Sequence, residues 1–107
     1  MRAEDFDQLH ELESTYWWFV AMRRITETIL SRELQAPGMR LLDAGCGTGF
    51  NVRYFSASKA RTVFGLDISD PAIAYVRQNG LDTVVQASVT AIPFPSGCFA
   101  LLVSFEV

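Results

Sequence analysis

The sequence predicts an α/β domain that is built on a parallel sheet and preceded by two helices. From residue 38 onward, short apolar segments alternate with amphipathic segments, which is the pattern of strands joined by crossover helices. Three glycines spaced two residues apart, Gly45, Gly47 and Gly49, follow the first apolar segment. Residues 1–37 show helical spacing instead. We therefore divide the chain into an N-terminal helical segment, residues 1–37, and an α/β segment, residues 38–107.

Composition limits the classes of function that the chain can have. Half of the 107 residues are hydrophobic and 20% are charged, which is typical of a small globular domain. The net charge is −3 and no basic run occurs, so we expect no nucleic-acid partner. No apolar run approaches the ~18 residues of a membrane span, and the acidic N-terminus does not resemble a signal peptide. Cys46 and Cys98 lack metal-ligand spacing, so we expect a cytoplasmic protein without a metal site.

The N-terminal segment reads as two helices. Asp5 followed by Gln8 has the form of a helix N-cap with its partner three residues later. A second helical pattern runs from about Tyr16 to Leu34 and ends at Pro37-Gly38. Its apolar stripe, spaced by four, three and four residues, consists of Trp18, Met22, Ile25 and Ile29. We expect the two helices to pack on the α/β segment, and we expect His10 to be a surface residue.

The aromatic cluster at residues 16–19 has two interpretations. The rings can pack the second helix against the sheet, or Tyr16 or Trp17 can form a lid over a ligand. Arg23 or Arg24 can pair with a carboxylate of that ligand, because the guanidinium binds carboxylates with two hydrogen bonds. Arginines also occur commonly on the solvent face of amphipathic helices.

The sequence pattern of the α/β segment predicts four strands and two intervening helices. Strands are predicted at residues 39–44, 61–67, 82–86 and 99–107, and helices at about 48–57 and from Asp70-Pro71 to Asn79-Gly80. Proline in a first helical turn and glycine after a last turn are both common at helix ends.

The glycine turn is the strongest candidate for a ligand site. Glycine lets the backbone approach a ligand closely, and the N–H groups at the following helix start are free donors. Asp43 precedes the turn at a strand end, where open α/β sheets bind ligands. Asp67 ends the next strand at the interval expected of a carboxylate that binds ribose hydroxyls, although a helix-capping acid would also fit. A tight strand–helix connection without a ligand is the alternative for the turn itself.

Four motifs together resemble the class I S-adenosylmethionine-dependent methyltransferases, and most closely their methyltransferase type 11 branch. They are Leu41-Leu-Asp-Ala-Gly-Cys-Gly-Thr-Gly49, Gly65-Leu-Asp-Ile-Ser69, Ala91-Ile-Pro-Phe-Pro-Ser-Gly-Cys-Phe99 and Val103-Ser-Phe-Glu-Val107. The resemblance implies a Rossmann-like fold, of which this chain would hold the first four strands. It also implies S-adenosyl-L-methionine as cofactor, S-adenosyl-L-homocysteine as product, and a small-molecule acceptor.

The resemblance assigns a cofactor-binding role to ten residues. Asp43, Gly45, Cys46, Gly47 and Gly49 would face the methionine part, Asp67 the ribose, and Ile68, Ser88 and Val89 the adenine, with Phe105 at the methionine end. Ser88 stands where the family usually has Asp, which implies a weaker bond to the adenine amino group. No catalytic residue is assigned, because methyl transfer from a sulfonium can proceed by positioning and exclusion of water. Glu106 would be either a base or a structural acid.

The family continues beyond Val107 with further strands and the acceptor-binding region. Two alternatives to methyl transfer by the parent protein follow: a cofactor-binding but catalytically incomplete fragment, or a non-catalytic interaction module. In the sheet order of the family the fourth strand would lie at an open edge in this chain. We therefore expect a homodimer through that edge, with Leu101, Leu102, Val103 and Phe105 at the contact.

Overall fold

A computed structural model describes residues 3–58 and 61–105 of the chain. The elements in chain order are α1 (Ala3–Thr15), α2 (Trp17–Ile29), α3 (Ser31–Leu34), β1 (Met39–Ala44), α4 (Phe50–Phe55), β2 (Arg61–Asp67), α5 (Asp70–Gln78), β3 (Val84–Gln86) and β4 (Leu101–Val103). No helix within these ranges is long and apolar enough to cross a membrane.

The four strands form one sheet in the order β3-β2-β1-β4, and every neighbouring pair is parallel. The predicted α/β fold with preceding helices is therefore confirmed. Chain progression runs in opposite directions on the two sides of β1, because β2 and β3 lie on one side and β4 lies on the other. The carboxyl end of β1 is thus a topological switch point, which is where open parallel sheets form ligand crevices.

The two faces of the sheet are covered differently. On one face, a buried cluster joins the strands to the helices, with Leu41, Val52, Phe55 and Val76 among its members. On the other face, Leu42, Ala44 and Leu66 are covered by aromatic residues of the loop before β4, Phe94 and Phe99. Loop side chains, and not a helix, cover this second face. The candidate site described below is therefore shaped mainly by the helix-covered side of the sheet and by α1 and α2.

The helix α1 docks on the α/β layer through its apolar and aromatic residues. The Phe6 ring stacks on Tyr75 of α5 at 5.4 Å between centroids. The expected surface position of His10 is wrong, because its ring is partly buried against Phe50 and Tyr75. Burial and the nearby Arg53 cation lower the pKa of His10.

The second predicted helix is shorter than expected, and its apolar stripe is only partly covered. The helix ends at Ile29, and a short helix, α3, follows after Leu30. Ile29 is 70% exposed and Ile25 is also exposed, whereas Trp18 and Met22 line a cavity against the α/β segment, so only part of the apolar stripe is covered. Arg23 is the buried residue of α2 instead. Its guanidinium lies 4.3 Å from the Phe50 ring centroid, so this side of α2 faces the start of α4.

Some predicted ends also moved. The helix α1 already includes Ala3, so Asp5 is not its cap, and α5 is capped by Ser69 rather than by Asp70. The Ser69 hydroxyl accepts a hydrogen bond from the Ala72 N–H at 3.3 Å. The third and fourth strands are shorter than predicted, with three residues each. The predicted roles of Glu106 lie outside the described residues.

Candidate functional site

A cavity of about 390 Å³ lies at the carboxyl ends of β1 and β2, beneath the N-terminal helices. Its wall combines residues from both predicted segments of the chain. Those from α1 and α2 are Phe6, Leu9, Glu13, Trp18, Phe19, Met22 and Arg23; those from the α/β segment are Asp43, Gly45, Cys46, Gly47, Thr48, Asn51, Asp67, Ser69, Ala72, Ser104 and Phe105. The site is therefore shared between the two segments.

The glycine loop after β1 is held against β2 by backbone hydrogen bonds. The N–H groups of Gly45 and Cys46 both donate to the Leu66 carbonyl, at 2.8 and 2.9 Å. Gly65 of β2 permits this approach, because a Cβ there would lie 3.0 Å from the Cys46 sulfur. Gly65 begins the second motif, but the sequence assigned it no role of its own, although a glycine inside a strand often marks such a close approach.

Both the backbone conformation and the packing of Gly49 favour glycine at this position. Its φ is +79°, and an added Cβ would lie 2.6 Å from Leu81 Cδ2 and 3.1 Å from Val76 Cγ1. Gly47 has a φ of +53° with open space around it. The loop therefore packs on α5 at Gly49, whereas Gly47 lies at the cavity.

The Asp67 carboxylate joins the two loops that border the cavity. One oxygen accepts a hydrogen bond from the Gly47 N–H and the other from the Ser69 N–H, both at 2.9 Å. Each ionised carboxylate oxygen can accept more than one hydrogen bond. Because Asp67 lines the cavity and is only partly buried, it can fix the loops and also bind hydroxyl groups of a ligand.

Asp43 is the most unusual polar group in the cavity wall. Its side chain is 2% exposed, and its Oδ1 atom has no hydrogen-bond partner among the described residues. Burial raises its pKa to about 7, and the negative charges of Glu13 and Asp67 add to the increase. A buried oxygen without a partner, in the wall of a cavity, is what a site for a ligand donor or cation would present.

Glu13 was not singled out from the sequence, yet it reaches the centre of the site. It is buried, and its carboxylate accepts a hydrogen bond from the Thr48 hydroxyl of the glycine loop. The backbone carbonyl of Glu13 accepts a hydrogen bond from the Arg23 guanidinium at 2.5 Å. The sequence offered no signal for this, because Glu13 is one of several acids on α1.

The structure places the two predicted lid residues outside the cavity wall. Tyr16 and Trp17 are exposed, and the cavity wall contains their neighbours Trp18 and Phe19 instead. Arg23 does line the cavity, but its guanidinium is engaged with the Glu13 carbonyl and the Phe50 ring.

The predicted adenine-side residues lie outside the cavity wall. The side chains of Ile68 and Val89 are exposed, and the Ser88 hydroxyl bonds to the Thr90 hydroxyl at 2.7 Å. Phe105 is placed in the wall beside Ser104, whose hydroxyl donates to the Ala44 carbonyl at 3.0 Å. The structure thus brings together the glycine loop, Asp43, Asp67 and Phe105, and leaves a solvent-open surface beside them.

The fold and the site together define an α/β protein with an acid-lined crevice at the switch point of its sheet. A family described as "Methyltransferase domain" matches residues 42–107. The chain belongs to this methyltransferase domain family, which confirms the resemblance.

Similar proteins include enzymes with different acceptors in their names. A malonyl-[acyl-carrier protein] O-methyltransferase of Pectobacterium atrosepticum is 33% identical over 82 residues, which are 75% of this chain and 32% of that protein. A 24-methylenesterol C-methyltransferase 2 of rice, Oryza sativa, is 35% identical over 91 residues, which are 78% of this chain and 25% of that protein. The chain therefore spans about a third or less of the length of these relatives.

A solved structure of a SAM-dependent methyltransferase from Aquifex aeolicus also matches. Its TM-score is 0.56 at 26% identity, over 73% of this chain and 46% of that one.

Proposed function

We propose that this chain forms the cofactor-binding part of an enzyme that transfers a methyl group from S-adenosyl-L-methionine to a small-molecule or acyl-carrier acceptor. The observation that carries the proposal is the convergence of three features on one cavity: the glycine loop, the partnerless Asp43 oxygen and the Asp67 carboxylate. Membership of the methyltransferase domain family supports the same cofactor.

The proposed contacts divide the cofactor between the enclosed cavity and the open surface beside it. Asp43 and the loop of Gly45, Cys46, Gly47 and Gly49 would hold the methionine part, with Phe105 beside it. Asp67 would bind the ribose hydroxyls. Ile68, Ser88 and Val89 would lie against the adenine on the open surface.

The site supports methyl transfer by positioning. The cofactor supplies a methyl group on a cationic sulfonium, which needs no metal or acid to leave. The chain's own residues would exclude water with Trp18 and Phe19 and orient the donor with the glycine loop. The described residues hold no group of three or more His, Cys, Asp or Glu side chains that could bind a metal ion.

The acceptor is proposed only as a class. The names of the relatives include an acyl-carrier-bound malonyl group and a sterol, which differ in size and polarity. The proposal therefore covers both a small-molecule acceptor and an acyl group on its carrier protein. We also propose a cytoplasmic location, which agrees with the free thiols of Cys46 and Cys98.

Calorimetric titration with S-adenosyl-L-homocysteine tests the cofactor site. The Asp67→Ala variant should bind at least about 30-fold more weakly, because a charged acceptor of two hydroxyl groups is lost. The matched control is Asp82→Ala, which removes an exposed acid from the segment before β3. A folded chain that binds neither cofactor nor product, or that binds equally well without Asp67, would contradict the proposal.

We further propose that the 107-residue chain forms a homodimer through β4. This strand pairs only with β1 among the described residues, and Leu102 is 53% exposed. Val103 is already buried in the core, so Leu102 is the better residue to change. Leu102→Glu should convert the dimer to a monomer in light scattering at micromolar concentration, while the exposed Ile29→Glu should not. A monomeric unmodified chain would refute the proposal.

A further inference from the structure

The N-terminal helix α1 contributes one acidic side chain to the wall of the cavity. Glu13 is buried there and bonds to Thr48 within the glycine loop, although 35 positions separate the two residues. A second bond continues from Thr48, whose Oγ1 accepts from the Phe50 N–H at 3.3 Å. The start of α4, the glycine loop and α1 are thereby joined through one hydroxyl group.

The cavity wall is negatively charged. It contains the three acids Glu13, Asp43 and Asp67, and Arg23 is the basic residue in it. The Arg23 guanidinium donates to the Glu13 carbonyl and lies against the Phe50 and Tyr54 rings. Its charge also interacts with the charge of Glu13, so the wall contains one cation and three acids. The Oδ1 atom of Asp43 has no hydrogen-bond partner among the described residues, which independently indicates a place for a hydrogen-bond donor or a cation of a ligand.

Glu13 affects the electrostatics of the cavity as well as its geometry. Its charge is one of the causes that raise the pKa of Asp43, second after burial. The field of Glu13 therefore reaches the end of the cavity where the sulfonium of the cofactor would lie. Within a site shielded from water such an interaction is far stronger than in bulk solvent.

We propose that Glu13 selects the charge state of the ligand: it holds the glycine loop through Thr48 and favours the cationic cofactor over its neutral product. S-adenosyl-L-methionine carries a sulfonium charge that S-adenosyl-L-homocysteine lacks, and the two otherwise differ by one methyl group. This inference rests on the proposed function. It makes α1 a working part of the site, with Glu13 as a positioning residue.

The test compares three ligands by calorimetry: the cofactor, the product, and an analogue in which an amine replaces the sulfonium and keeps the positive charge. Glu13→Gln should weaken the cofactor and the cationic analogue about tenfold each, and the product less than twofold. The matched control is Glu11→Gln, an exposed acid on the same helix that lies outside the cavity wall. This control should change none of the three affinities.

A second variant separates charge from loop attachment. Thr48→Ala removes the bond to Glu13 but leaves the carboxylate, so all three affinities should fall by a similar factor. Thermal unfolding of each variant shows whether the fold is retained. The ratio of cofactor to product affinity is the deciding quantity, because loss of structure alone would lower both.

Two results would overturn the inference. One is an equal loss of all three ligands in Glu13→Gln, which would make Glu13 a structural tether only. The other is no loss of any ligand. A different result would contradict the proposed function itself: the unmodified chain would bind none of the three ligands.

Discussion

The two ends of the candidate site are built differently. The enclosed end lies under α1 and is formed by Asp43, Gly47, Thr48 and Glu13. The Gly47 N–H donates a hydrogen bond to Asp67 there, and the Thr48 hydroxyl donates one to Glu13. The open end, formed by Ile68, Ser88 and Val89, lies at the surface. We infer that the enclosed end would impose shape and charge on a ligand, whereas the proposed contacts at the open end would only add affinity at a solvent-exposed surface.

This contrast has a physical basis in burial. A charge interaction within the enclosed end is weakly screened, so one carboxylate can change affinity by a large factor. At the open end, water competes for every hydrogen bond and the net gain per contact is small. Changes at the enclosed end should therefore alter both folding and binding, and changes at the open end should alter binding alone.

The largest effect is expected from Gly49→Ala in the loop of the enclosed end. An alanine at this position would have to adopt a left-handed conformation, and its Cβ would meet Leu81 and Val76. The free energy of unfolding should therefore fall by about 2–4 kcal/mol. The control Gly47→Ala has open space and should lose about 1 kcal/mol. Urea unfolding measures both, and equal losses would show that Gly49 is not tightly packed against α5.

Asp43→Asn should stabilise the ligand-free chain at high pH. The pKa of Asp43 in the folded chain is about 7, above its value of about 3.9 in an unfolded chain. The folded state therefore binds the proton more tightly, and stability is lost as pH rises from about 4 to 7. Asparagine does not ionise, so the variant should be more stable by about 1–3 kcal/mol at pH 8 and equal below pH 4.

The same variant should bind the cofactor more weakly, which distinguishes a functional acid from a structural one. The control is Asp82→Asn, an exposed acid whose replacement should leave the pH profile of unfolding unchanged. A pH-independent difference between Asp43→Asn and the unmodified chain would show that Asp43 does not titrate near neutrality.

At the open end, Ser88→Asp should tighten product binding about threefold to tenfold. The resemblance implies an acid here that accepts from the adenine amino group, and an aspartate can still accept the Thr90 N–H bond that Ser88 now accepts at 3.1 Å. Ala91→Asp places the same charge at an exposed position three residues on. If both variants improve binding equally in calorimetry, charge near the site explains the gain and a specific adenine contact does not.

The smallest effect is expected from Ile68→Ala. Since the side chain is exposed in the ligand-free chain, the free energy of unfolding should change by less than about 0.5 kcal/mol. Product affinity should fall about threefold through lost apolar contact with the adenine. The control Ile29→Ala removes an equally exposed isoleucine from α2 and should leave affinity unchanged. A stability loss in Ile68→Ala would mean that the open end is part of the core.

The sequence alone determined the elements that carry the glycine loop. The bounds of β1 and β2 agree with the predicted strands residue for residue. Local signals suffice there: apolar runs, glycines and a strand-end acid lie within a short stretch of chain and directly specify its backbone conformation. The cofactor assignment came from the resemblance to the methyltransferases, which rests on two motifs of this stretch and two at residues 91–99 and 103–107.

Tertiary structure decided which residues of the N-terminal segment reach the site. Successive residues on a helix differ by about 100° in direction, so Trp17 and Trp18 point to different sides of α2, and the rotation of the helix decides which of them lies in the cavity wall. In the observed orientation, Arg23 packs on Phe50, a residue of the other segment. The contact of Glu13 with Thr48 likewise joins distant positions. No periodicity within α1 or α2 encodes such a contact, because its free energy arises only when the two segments pack together.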